Sequence, residues 1–182
     1  VLEQILLALA ASGHVLVEGL PGLGKPLLTR AVAASFGGDS KRVQFTPDLM
    51  PHDITGHSMY DLASGKFVSR MGPVFTHILL ADEINRAPAK TQAALLEVMQ
   101  EYQVSFDSET HELQRPFMVL ATQNPAEHEG TYPLPDAQLD RFLLKVLIGY
   151  PEPEAEREVV SSLLEGKSGD TLDVSAVGKV AS

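Results

Sequence analysis

Gly19-Leu20-Pro21-Gly22-Leu23-Gly24-Lys25-Pro26 is the stretch whose reading decides the fold. Up to its last residue it follows the pattern G-x-x-x-x-G-K-[S/T], a glycine loop between a strand and a helix. In that pattern backbone N–H groups cradle phosphates, the lysine reaches the β- and γ-phosphates, and the hydroxyl holds Mg²⁺. Pro26 stands in the hydroxyl position. Proline supplies neither a side-chain ligand nor a backbone N–H. It suits the first turn of a helix but disfavours the α conformation for the residue before it, here Lys25.

The flanks agree with the loop. His14-Val15-Leu16-Val17-Glu18 is an apolar, β-branched run, as a buried parallel strand requires. Leu27 to Phe36 reads as a helix with one apolar side, stopped by Gly37-Gly38. Further on, Arg42–Thr46 is a short strand, 47–73 is irregular, and Thr76–Ala81 is a third strand. Within the irregular stretch, Ser58–Asp61 and Lys66–Arg70 flank Leu62-Ala63-Ser64-Gly65 as a hairpin-like insertion. Pro88 opens a helix through Glu101, with Ala94, Leu95, Val98 and Met99 on its apolar face. Gln103–Asp107 and Leu113–Thr122 read as hairpin arms turning at Ser108–His111, the second running on into a buried strand, Phe117–Ala121. Leu143–Ile148 is the last strand, and Pro151-Glu152-Pro153 marks a domain boundary. Strands alternating with helices predict a parallel sheet flanked by helices, an α/β fold. The expected domains are 1–151 and the opening of a second unit over 152–182.

The chain has 182 residues, a net charge of −10, 44% apolar residues, 6% aromatics and no cysteine. That composition is globular, lacks thiolate chemistry, and fits a reducing cytoplasm. The acidic balance argues against binding a nucleic-acid backbone, and no apolar run reaches membrane-spanning length. The chain starts at Val1, inside a helical pattern and without an initiator methionine, and so reads as a fragment.

Three further positions carry chemistry. The third strand ends in Asp82-Glu83, at the sheet edge where ligands collect in parallel α/β folds. Asp82 can hold Mg²⁺ directly or through water, and Glu83 can orient and deprotonate an attacking water. As a bare string the pair is also compatible with solvated strand caps. The next strand ends in Thr122-Gln123-Asn124-Pro125, where Asn124 is either a polar amide beside the phosphates or a turn residue before proline. Leu134–Phe142 reads as a short helix carrying Arg141, either an ion-pair partner of Asp136 or Asp140 or a finger toward a neighbouring subunit's nucleotide. The histidines form no H-E-x-x-H pattern, and neither a G-x-S-x-G elbow nor an N-K-x-D motif is present, so ATP is preferred to GTP.

With these strings in hand, the chain resembles the AAA+ ATPases, specifically the MoxR family of the clade with an insertion in its second helix. The resemblance is carried by Glu18–Lys25, Leu80–Pro88, Ala121–Pro125 and Glu129–Phe142, and it spans about His14 to Pro153. It implies a P-loop NTPase core with a five-stranded parallel sheet of order 5-1-4-3-2 and the start of a helical lid. By the same resemblance, Gly19, Leu20, Pro21, Gly22, Leu23, Gly24, Lys25 and Pro26 form the Walker A site. Asp82 (metal) and Glu83 (base) form Walker B, Asn124 is sensor 1 and Arg141 is the arginine finger. The implied ligands are ATP and Mg²⁺. The implied partners are a homo-oligomeric ring, a hexamer, and client proteins such as those with a von Willebrand factor A domain. The implied activity is an ATP-driven chaperone that remodels partner complexes. The alternative is a nucleotide-binding scaffold that hydrolyses poorly because Pro26 replaces the Walker A Ser/Thr.

Overall fold

A computed structural model describes residues 1–19, 24–106, 109–124 and 130–149, and beyond those only 155, 157, 158, 161 and 164. Five strands form the central sheet: β1 (Val15–Gly19), β2 (Ser40–Gln44), β5 (Ile78–Asp82), β8 (Met118–Gln123) and β9 (Leu144–Ile148). Their order is β2-β5-β8-β1-β9 and every pairing is parallel. Counted as five strands in chain order, this is the expected 5-1-4-3-2.

Burial explains which strands lie inside. β5 and β8 are almost wholly buried, and β1 nearly so, as their unbroken apolar runs demand. The two edges are shorter of apolar residues: β2 carries exposed Lys41 and Arg42, and β9 carries exposed Lys145. Charged edges discourage pairing with a foreign strand.

Alternation along the strands splits the core into two layers. On one face Val15, Val17, Ile78, Leu80, Met118 and Leu120 pack with α1 (Leu2–Ala10) and α2 (Lys25–Phe36). On the other, Leu16, Leu79, Ala81, Val119 and Ala121 pack with α3 (Pro51–Thr55) and α4 (Ala89–Glu101), whose Leu95, Leu96, Val98 and Met99 are buried. His14 ties β8 to α4. Val119 N–H donates to its Nδ1 at 3.0 Å, which leaves Nε2 to donate to Met99 O at 3.1 Å. Burial lowers the pKa of this ring, partly opposed by its bond to Met99.

The insertion is a hairpin of β3 (Gly56–Asp61) and β4 (Lys66–Met71), with Asp61 opposite Lys66. Two readings need correction. The second hairpin pairs β6 (Gln103–Phe106) with β7 (Glu109–Glu112), so its return arm is not Leu113–Thr122. The return arm is the polar segment Glu109-Thr110-His111-Glu112, which carried no apolar alternation to mark it. Arg115-Pro116 then separates it from β8, since proline cannot donate to a ladder. Second, α2 begins at Lys25 rather than after it. Gly24 enters the helix from the left-handed region (φ 71°), and Pro26 sits in the first turn, where its missing N–H has no helical partner to lose. The boundary at Pro151-Glu152-Pro153 and most of 152–182 lie outside the described residues.

Candidate nucleotide site

All five parallel strands end at one edge of the sheet, and β1, β5 and β8 bring the candidate residues there. β1 ends at Gly19, whose Cβ, if it had one, would stand 2.6 Å from Ile148 O on β9. Only glycine fits that approach. The loop that follows, Leu20, Pro21, Gly22 and Leu23, lies outside the described residues. It resumes at Gly24, and the first turn of α2 has no side-chain cap. Lys25 Nζ donates to Gly19 O at 3.3 Å, so the lysine folds back toward the loop. Burial pushes its pKa down, and the carboxylates of Asp82 and Glu83 oppose that shift. The lysine therefore lies within range of the charge on both carboxylates.

Asp82 is held on both oxygens. Its Oδ1 accepts the hydroxyl of Thr122 at 2.6 Å, and its Oδ2 accepts Arg42 through NH2 at 2.7 Å and Nε at 3.2 Å. Glu83 has φ 55°, ψ 50°, a left-handed conformation unusual for a non-glycine residue. Backbone outliers of this kind persist only where surrounding bonds hold them, and they gather at functional positions. Here Glu83 N–H donates to Thr122 Oγ1 at 2.9 Å, and Gln44 Nε2 donates to Glu83 Oε2 at 2.8 Å. Arg86 Nε stands 3.3 Å from that same oxygen.

Sequence reasoning missed Arg42, Gln44, Arg86 and the role of Thr122. The signal was available: residues two apart in a strand share a face, and β2 lies beside β5 with Gln44 level with Asp82. The order 5-1-4-3-2 implied by the resemblance already sets β2 beside β5, but only the structure gives the register that levels Gln44 with Asp82.

Asn124 follows β8 directly and is 7% exposed, so it is a buried polar residue at this edge. Arg141 follows α5 (Asp136–Leu139), and its NH1 donates to Leu96 O on α4 at 2.8 Å. Among the described residues it pairs with neither Asp136 nor Asp140, which corrects that reading. The structure thus gathers Gly19, Gly24, Lys25, Asp82, Glu83 and Asn124 at the carboxyl edge of the sheet, and holds Arg141 against α4.

A directly held divalent ion does not fit this donor set. Pro26 offers no side-chain oxygen, both oxygens of Asp82 are engaged by Thr122 and Arg42, and no group of three ligating side chains occurs among the described residues. These contacts bear on the direct form of the metal role expected of Asp82 and leave the form that runs through water untouched. Nor is any described helix long and apolar enough to cross a membrane.

Comparison with known proteins identifies the family of the chain. The model of the ATPase family associated with various cellular activities (AAA) matches residues 14–144. Chaperone MoxR1 of Mycobacterium tuberculosis is 55% identical over 158 residues, covering 87% of this chain and 42% of that protein. Protein MoxR of Methylorubrum extorquens is 34% identical over 195 residues, covering all of this chain and 56% of the relative. A crystal structure from Cytophaga hutchinsonii, provisionally classed as an ATPase, superposes with a TM-score of 0.84 at 46% identity. That match covers 98% of this chain and 52% of the other. The chain spans about half the length of these relatives. Its matched span carries the glycine loop, the carboxylate pair and the parallel sheet that edges them, and the chain belongs to the AAA family of ATPases, among its MoxR members.

Proposed function

We propose that this chain is the nucleotide-binding core of an ATP-driven chaperone that assembles into a homo-oligomeric ring, a hexamer, and remodels partner protein complexes. The observation that carries this reading is the left-handed conformation of Glu83, held by Thr122 and Gln44 at the edge of the sheet where β1 runs into the lysine-bearing turn. A carboxylate so fixed at the edge from which the loop lysine emerges is suited to accept a proton from water attacking a nucleotide. Asn124 orients that water, and Arg141 acts on the nucleotide of an adjacent subunit. The relative named chaperone supports a protein client, and proteins with a von Willebrand factor A domain are the proposed class.

Specific contacts favour a second reading, in which the chain binds nucleotide and hydrolyses it poorly. Pro26 removes a hydroxyl from the loop, and Glu83 is engaged by Gln44 and Arg86 instead of being free to take a proton. The two readings separate in one experiment on full-length protein. Lys25→Ala weakens ATP binding about tenfold or more in either case. If the chain is a working ATPase, turnover per subunit rises with protein concentration, and Glu83→Gln or Arg141→Ala lowers it about a hundredfold while ATP stays bound. If it is a scaffold, turnover is negligible until Pro26→Thr restores it. Turnover that is independent of concentration and indifferent to both Glu83→Gln and Arg141→Ala would overturn the assignment of those residues.

A further inference from the structure

The contacts of Asp82 raise a question of charge. Its side chain is 14% exposed, so its carboxylate is largely withdrawn from water and needs a cation close by. Arg42 is that cation, reaching inward from a side chain that is itself 53% exposed. Two nitrogens of its guanidinium meet one oxygen, a fork that a point charge cannot reproduce. The arginine is also aimed: its NH2 donates to Gln44 Oε1 at 3.0 Å, and Gln44 in turn donates to Glu83. Strand register explains the arrangement, because Arg42 and Gln44 project from the same face of β2 and lie level with Leu80 and Asp82 of β5. That face is the one packed against α2, from which Lys25 comes.

We propose that Arg42 is the resident cation of this nucleotide site, supplying from β2 the positive charge at Asp82 and the phosphates, so that nucleotide binding is indifferent to divalent metal. This rests on the nucleotide-binding reading above and extends it. The site then offers an incoming polyphosphate two fixed positive groups, Lys25 and Arg42. The NH1 nitrogen of Arg42, which has no partner among the described residues, is left to donate to a phosphate oxygen. Pro26 is consistent with this arrangement, since a loop that does not hold a metal loses nothing by lacking a hydroxyl. Near a protein surface two unit charges a few ångströms apart still interact strongly enough to change affinity by an order of magnitude.

The test is calorimetric titration of the full-length protein with ADP, which reads binding without turnover, in EDTA and again in millimolar Mg²⁺. The wild-type dissociation constants agree within about threefold in the two buffers. Arg42→Gln leaves Asp82 uncompensated beside the phosphates, so binding in EDTA weakens about tenfold or more and Mg²⁺ recovers most of the loss. Arg42→Lys keeps the charge and loses the fork, so binding weakens a few fold and stays indifferent to metal. The wild-type comparison needs no variant and stands even if Arg42→Gln fails to fold. Wild-type affinity that collapses in EDTA overturns the inference, and so does an Arg42→Gln protein as indifferent to metal as the wild type. In both cases the nucleotide reading survives, because ADP still binds. No ADP binding by the wild type in either buffer overturns the nucleotide reading, and this inference with it.

Discussion

His14 and Asp82 occupy opposite ends of the same sheet, and each joins three elements through its polar atoms. At the amino end His14 links β1, β8 and α4, and both of its partners are backbone groups, Val119 N–H and Met99 O. At the carboxyl end Asp82 links β5, β8 and β2, and its side-chain partners are the hydroxyl of Thr122 and the guanidinium of Arg42. Backbone partners cannot rotate away, so the first cluster can only hold or break with the fold. Side-chain partners can exchange for a ligand at small cost. The difference teaches where to look for function in a molecule whose polar clusters are otherwise alike.

The sharpest way to break the comparison is to truncate each hub in turn. His14→Ala leaves Met99 O and Val119 N–H without partners and removes a ring stacked against Tyr102 and edge-on to Phe117. We expect it to cost about 3–4 kcal/mol, a fall in melting temperature of roughly 8–12 °C, with ADP affinity unchanged well below the transition. Circular dichroism melting and calorimetry together decide it. A loss under 1 kcal/mol would mean that the amino-end cluster is as replaceable as the carboxyl-end one.

Thr122→Val sharpens the other side with a smaller effect on the fold. The hydroxyl donates to Asp82 Oδ1 and accepts from Glu83 N–H, and valine keeps the shape while orphaning both. The expected cost is about 1–2 kcal/mol of stability. The informative change is functional: with Glu83 no longer held in its left-handed conformation, nucleotide affinity changes more than His14→Ala changes it. Equal ADP affinities for the two variants would erase the distinction between a structural and a functional end.

How much of this could be read from the string alone follows from the same contrast. Parallel strands buried on both faces write themselves as apolar runs, so β1, β5 and β8 were legible, and with them the edge where Gly19, Asp82 and Asn124 emerge. The hairpin insertion was legible because Leu62-Ala63-Ser64-Gly65 separates two strand-like segments, and it folds as β3 and β4. β7 was not, because a two-stranded ribbon that buries little needs no apolar alternation: Glu109, Thr110 and Glu112 are all exposed. Arg42, Gln44 and Thr122 were present as letters but not as a site. Their meaning depends on the register between neighbouring strands and on where each side chain reaches, which the expected strand order does not supply. Arg141 showed the reverse case, a residue identified by its motif whose observed contact, Leu96 O, no local spacing would suggest.

The smallest effect is a dependence on pH that belongs to one end of the sheet only. Burial holds the pKa of His14 below its ordinary value, so the folded protein keeps the ring neutral where the unfolded chain would protonate it. The sign follows directly. Above about pH 6.5 neither state is protonated and the ring contributes no pH dependence. As pH falls below that value the unfolded state takes up a proton that the folded state refuses, and stability declines by up to about 1.4 kcal/mol per unit. It levels off once pH passes the lowered folded value. Glu18 follows a different course. Burial acts to raise its pKa but is outweighed by Gln123 and Lys145, so its contribution is lost only at lower pH. Urea melts of wild type and His14→Gln from pH 7.5 to 5 isolate the histidine, because glutamine can donate to Met99 O but cannot titrate, and every other group is common to both proteins. The wild type should lose stability through this window while the variant stays flatter. Parallel curves would show that His14 is not the acid-sensitive group, and that the amino end tolerates a charge where the geometry leaves Val119 N–H facing a second donor.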